Sequence, residues 1–111
     1  MRIVTWNIRN PSAARVPQIA EAVSELRPDV VVLTEYTEQA SELKTRLSDS
    51  DLTGWVTSKP TRPLLGVAIA SREAITSRPT SDPCPPWAGV LAVDVEGLHI
   101  VGLYGPARSH T

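Results

Sequence analysis

The sequence predicts an α/β domain built on one mixed sheet with two helices on one face. Three observations carry this. Met1 to Asn7 and Asp29 to Glu35 are short β-branched runs, and between them Ser12 to Arg27 sets Val16, Ile19, Ala20, Val23 and Leu26 at helical spacing, so the unit reads strand, helix, strand. Val30-Val31-Val32-Leu33 is continuously apolar instead of alternating, which suits a strand covered on both faces. The last third reads as a hairpin, with Trp87 to Val95 and Leu98 to Tyr104 as strands and Glu96-Gly97 as the turn.

Each element has its own warrant. Arg9-Asn10-Pro11-Ser12 breaks the first strand, with Ser12 as the N-cap of the helix and Pro17 near its start, where a missing amide proton does least harm. Arg27-Pro28-Asp29 ends that helix, because a residue before proline is pushed towards extended backbone. Thr37 to Leu47 forms a second helix, with Ala40, Leu43 and Leu47 on one stripe and Glu38, Glu42, Lys44 and Arg46 facing solvent. Ser48 to Pro63 is polar and turn-rich except for Trp55-Val56, a short edge strand. Leu64 to Ser71 is a strand whose Gly66, Ala68 and Ala70 permit close approach of another layer. Thr76 to Pro86 is a proline-rich connector, too short to separate two domains. Five or six strands against two helices leave one sheet face without a partner.

At 111 residues, 41% hydrophobic and 21% charged, the chain has the balance of one globular domain and not of a disordered segment. Nine Arg and two Lys against twelve acidic residues leave a net charge of −1, so no basic field points to a polyanionic partner, and nucleic acid is neither indicated nor excluded. The single Cys84 forms no internal disulfide, and with only His99 and His110 beside it there is no zinc-type cluster. The chain opens on a strand and has no apolar run of membrane-spanning length, so the expectation is a cytoplasmic protein without a membrane span.

A βαβ crossover makes its strands parallel, so Asn7 and Glu35 emerge at the same edge of the sheet, where ligands of open α/β sheets sit. An amide oxygen and a carboxylate side by side there suit a hard cation such as magnesium. Spacing alone also permits a plainer reading, in which Asn7 ends a strand in a turn and Glu35 is a solvated charge opening the next helix. A nucleotide-binding domain is disfavoured, since Ile8 to Ser12 contains no glycine for a phosphate-cradling loop.

Four local patterns, Thr5-Trp6-Asn7-Ile8-Arg9, Leu33-Thr34-Glu35, Gly66 to Arg72 and Tyr104-Gly105-Pro106, together resemble the amino-terminal half of the endonuclease/exonuclease/phosphatase superfamily. The resemblance implies half of a four-layer α/β/β/α sandwich, with the second sheet supplied by a carboxyl-terminal half absent from residues 1–111, so that these residues form an incomplete domain. It implies a metal-dependent phosphoesterase, nuclease or phosphatase, using Mg2+ or Mn2+ on a phosphate-containing substrate, with nucleic acid among the candidates. It implies Asn7 and Glu35 as metal ligands, with Asn7 and Tyr104 contacting the phosphate.

The departures from the pattern matter as well. Arg9 stands where some relatives have an acid, Ala107 stands where an asparagine is common, and the later Asp-x-Asn and Asp-His pairs are absent. His110 lies too early to take the role of the final histidine. The competing function is a non-catalytic module that binds a partner, or a second copy of itself, through the uncovered sheet face.

Overall fold

The computed structural model describes residues 1–58, 66–78 and 89–104. Strand β1 (Ile3–Asn7) leads through a 3₁₀ turn (Ala13–Arg15) into helix α1 (Val16–Leu26) and strand β2 (Val30–Tyr36). A second 3₁₀ turn (Glu38–Ala40) precedes helix α2 (Leu43–Ser48). Strands β3 (Gly54–Thr57), β4 (Gly66–Ser71), β5 (Ile75–Arg78), β6 (Gly89–Val95) and β7 (Leu98–Tyr104) follow.

The strands form two sheets, one of four strands in the order β1-β2-β4-β3 and one of three in the order β5-β6-β7. In the first, β1 and β2 are parallel, with Ile3 opposite Val30 and Asn7 opposite Thr34, as the crossover requires. The other two pairings, β2 with β4 and β3 with β4, are antiparallel. Gly54–Thr57 is the edge strand expected around Trp55.

Both helices pack on one face of the four-stranded sheet. Val16, Ile19 and Val23 of α1 and Leu43 and Leu47 of α2 meet Val31, Leu33, Ala68 and Ala70 of β2 and β4 in one cluster, with Val4, Trp6 and Trp55 packed against it. On the opposite face Val30, Val32, Val67 and Ile69 meet Leu91, Val93, Val95 and Ile100 of the second sheet. Strand β2 is therefore buried on both faces, as its unbroken apolar run predicts. Gly102 permits the close approach of β7: a Cβ there would come to 2.8 Å from Val67 Cγ1 and 3.2 Å from Val32 Cγ1.

The structure corrects the sequence reading in four places. The sheet is not single, because this chain supplies strands of its own to a second sheet that covers part of the face expected to be bare. Ile75–Arg78, read partly into the proline-rich connector, is a strand paired with β6, since its backbone finds partners between Ala92 and Val95, beyond the connector. Arg27 is left-handed (φ 49°, ψ 55°) instead of extended, closing α1 with its N–H on the Ser24 carbonyl. Ser12 precedes a 3₁₀ turn and makes no side-chain cap. Leu64, Leu65, Cys84, Trp87, Ala107, His110 and the proline-rich run 82–86 lie outside the described residues.

The end of the sheet where β1 begins is held by Asp29. Its Oδ2 accepts the Arg2 N–H at 2.6 Å, its Oδ1 lies 3.7 Å from Arg72 Nε, and its backbone exchanges bonds with Arg2 and Arg72. Arg2 also reaches the Leu26 carbonyl at 2.6 Å. The starts of β1 and β2 and the exit of β4 are thus tied at one point. In the second sheet, Glu96 (φ 49°) and Gly97 (φ 77°) make the two-residue turn with positive φ at both positions that joins β6 to β7.

Candidate active site

Asn7 is the last residue of β1 and lies on its exposed face with Ile3 and Thr5, while Val4 and Trp6 turn towards the helices. Its side chain accepts the backbone N–H of Arg9 at 2.9 Å, so Oδ1 is oriented by a local turn of the kind asparagine favours. The plainer reading of Asn7 as a turn former is therefore true, and it leaves the second lone pair of Oδ1 available to a ligand.

Glu35 sits in a bulge of β2. Pairing with β4 runs in register from Val30 to Thr34, then shifts before Tyr36. Leu33 is three residues before Tyr36, so plain alternation would set them on opposite faces; the bulge returns Tyr36 to the helix-side cluster that holds Leu33 and takes Glu35 out of the sequence of faces. Glu35 has φ 58°, a left-handed conformation that costs a non-glycine residue about 1–2 kcal/mol. Arg9 (φ 58°) and Asn10 (φ 45°) share that conformation just beyond β1. Three strained residues thus gather at the adjoining ends of two parallel strands, a distribution associated with functional sites.

Hydrogen bonds hold this strained segment in place. Ile8 N–H donates to the Thr34 carbonyl at 3.0 Å and Asn10 N–H to the Glu35 carbonyl at 3.1 Å. The Thr37 hydroxyl donates to Asn10 Oδ1 at 3.2 Å. Glu35 opens no helix directly; Thr37 extends the chain before the next 3₁₀ turn.

Tyr104 ends β7 half-buried on the side that meets the four-stranded sheet, packed against the inter-sheet cluster. Its pKa is raised, first by burial and second by the negative charge of Glu35. The two strand-end residues Glu35 and Tyr104, far apart in sequence, are therefore in electrostatic reach of each other, and the phenol keeps its proton at neutral pH.

Asn7 and Glu35 supply one amide oxygen and one carboxylate, both hard donors. Among the described residues there is no group of three or more His, Cys, Asp or Glu that could hold a metal ion. The pair fits magnesium or manganese rather than zinc, since magnesium is held through one or two carboxylates and keeps waters and substrate phosphates for its remaining positions.

Sequence reasoning passed over Arg15, which joins Trp6, Asn7 and Arg9 in lining an open pocket of about 470 Å³. Its Nη1 donates to the Ile8 carbonyl at 3.3 Å. The only signal for it was a basic residue in the turn that follows the first strand. His99 is exposed on the outer side of β7 with Nδ1 2.8 Å from Asp94 Oδ1, a cross-strand pair remote from these strand ends.

A parallel pair ending in Asn and a bulged Glu, backed by two helices and faced by a second sheet, defines a layered α/β sandwich with a polar site at its strand ends. The endonuclease/exonuclease/phosphatase family model matches residues 4–108, and the chain belongs to that family. The crystal structure of an endonuclease/exonuclease/phosphatase from Beutenbergia cavernae DSM 12333 has a similar fold, with a TM-score of 0.68 at 21% identity over 94% of this chain. The chain spans 38% of the length of that structure. No curated protein matches this sequence. No helix among the described residues is long and apolar enough to cross a membrane.

Proposed function

We propose that this chain is the amino-terminal part of a divalent-metal-dependent phosphoesterase, a nuclease or phosphatase that hydrolyses phosphodiester or phosphomonoester bonds. Residues 1–111 then form an incomplete domain with little or no hydrolysis of their own. Asn7 and Glu35 hold Mg2+ or Mn2+, and Asn7 and Tyr104 face the phosphate. The cytoplasmic setting read from the sequence belongs to this proposal.

The observation that supports it most is that Asn7 lies opposite Thr34 at the end of the parallel pair, the residue next to the strained, bulged Glu35, and that the charge of Glu35 is felt at the Tyr104 phenol. A divalent ion supplies neutralisation of phosphate oxygens and of the charge that builds on the leaving group. Asn7 presents an amide oxygen already oriented by the Arg9 N–H. Tyr104, protonated at neutral pH, donates a hydrogen bond to a phosphate oxygen. Incompleteness is supported by the 38% span and by the missing Asp-x-Asn and Asp-His pairs.

The test is a titration of the labelled chain with Mn2+ followed by NMR. Paramagnetic broadening is expected first at the amides of residues 7–9 and 34–36, and it should vanish in Glu35→Gln. Broadening elsewhere would overturn the metal assignment. In magnesium the chain should not turn over a generic phosphodiester; turnover abolished by Glu35→Ala would keep the chemistry and sink the incompleteness.

A second reading is favoured by one observation. Val101 and Leu103, on the outer side of edge strand β7, are 55% and 67% exposed, an apolar surface suited to a non-catalytic docking module. A monodisperse, non-aggregating monomer in sedimentation would count against it.

A further inference from the structure

Three arginines gather at the end of the four-stranded sheet where β1 and β2 begin. Arg2 precedes β1, Arg27 closes α1 and Arg72 follows β4, and all three are exposed. Two of them are held by backbone carbonyls of one short turn: Arg2 Nη1 donates to Leu26 at 2.6 Å and Arg72 Nε to Pro28 at 3.2 Å. Arg27 lies between those two carbonyls in the chain, its left-handed backbone (φ 49°) fixed by its N–H on the Ser24 carbonyl. Among the described residues its guanidinium has neither a hydrogen bond nor an ion pair.

The cluster already holds one group of the kind it fits. The Asp29 carboxylate accepts the Arg2 N–H at 2.6 Å and has Arg72 Nε 3.7 Å away, so it is occupied. Of the acids nearest in sequence, Glu25 lines the groove between the two helices with Arg46, and Glu73 is exposed one residue beyond Arg72. Cations therefore outnumber carboxylates here. The donors left over on the three forks suit further carboxylates, which a guanidinium binds through two parallel bonds. Leu26 adds an apolar contact, since its side chain is exposed while its carbonyl carries the Arg2 guanidinium.

We propose that Arg2, Arg27 and Arg72, with Leu26, form a docking surface for an acidic peptide segment of a partner protein, which pairs its carboxylates with the guanidinium groups and sets an apolar side chain on Leu26. The complementarity is local, because the chain as a whole carries −1. That overall charge disfavours an anionic bilayer, towards which three basic residues contribute only about 1 kcal/mol each. A nucleic-acid backbone offers phosphates in a row and no apolar group for Leu26. The surface lies at the other end of β1 from Asn7, roughly 16 Å along the strand, and does not depend on the phosphoesterase reading.

The full chain is titrated with the peptide acetyl-Glu-Asp-Leu-Glu-Asp-amide, with its Gln/Asn counterpart, with vesicles of phosphatidylserine and phosphatidylcholine, and with oligo-dT. NMR shifts are read at residues 2, 26–29 and 72. The acidic peptide is expected to shift these residues and leave 7–9 unchanged, with binding that weakens as salt rises from about 0.05 to about 0.5 M. Arg27→Gly removes one guanidinium and suits the left-handed backbone, so folding is kept, and it should bind about 3-fold more weakly. Arg27→Glu should bind about 10-fold more weakly. No shift, equal shifts with the uncharged peptide, an affinity unmoved by both variants, or shifts centred on residues 7–9 would overturn the proposal. So would tighter binding of the vesicles or of oligo-dT at these residues, which would make the surface a membrane or a nucleic-acid contact.

Discussion

On its helix side the four-stranded sheet is closed across its width, from Val4 and Trp6 on β1 through Leu33 on β2 to Trp55 on β3, all in one cluster. On the other side the second sheet seals Val30, Val32, Val67 and Ile69, yet on β1 Ile3 remains 46% exposed and Thr5 and Asn7 are exposed beside it. The first face shows what holds the domain together. The second shows where it stays open, along a strip that leads straight to Asn7, and a polar strand end can reach a ligand only from such a strip.

The sharpest way to break this contrast is Leu33→Ala, which opens a cavity at a fully buried point of the closed face. A loss of about 2–5 kcal/mol is expected from urea unfolding; a loss under about 1 kcal/mol would mean that the helix side does not dominate. Next comes Gly102→Val, which drives a side chain into Val67 and Val32 between the sheets. About 1–3 kcal/mol should be lost. Unchanged stability would mean that the sheets are free to separate.

The smallest effect concerns pH. Burial, with a lesser contribution from Glu38, pushes the Tyr36 phenol up to about 12 from 10.0. A raised folded-state pKa binds the proton more tightly in the native protein, so its stabilisation is whole below pH 10 and falls away as pH rises towards about 12. The loss is on the order of 2 kcal/mol at most. Tyr36→Phe should flatten the dependence of the urea midpoint in that window, and an equally steep fall in the variant would place the titration elsewhere.

Local signals carried most of the first sheet. The doubly buried β2 and the Trp55 edge strand are each written within about ten neighbouring residues, as is the Glu96-Gly97 turn of the second sheet, while the crossover is read across Met1 to Glu35. The β6–β7 hairpin was legible, but its place in a second sheet packed on the first was not, because alternation in β6 tells that Leu91, Val93 and Val95 share a face without telling which sheet that face meets. Strand β5 was hidden by the prolines that follow it. At the site, residue types marked Asn7, Glu35 and Tyr104, but the bulge that sets Glu35 out of alternation arises from how β2 pairs with β4, and nothing in the sequence near Glu35 announces it. Arg15 was passed over for a similar reason: its place in the pocket depends on its grip on Ile8.

The Asp29 anchor at the opposite end of the sheet has a reach beyond its own bonds. Among the described residues β1 is an edge strand paired with β2, and its register rests on that pairing together with the burial of Val4, Trp6 and Ile8 on the helix side. A slide by one residue would invert the parity of the strand, sending Asn7 to the helix side and Trp6 to the open strip. By fixing Arg2 against the start of β2, Asp29 reinforces from a distance the register in which the strand ends on an oxygen and not on an indole.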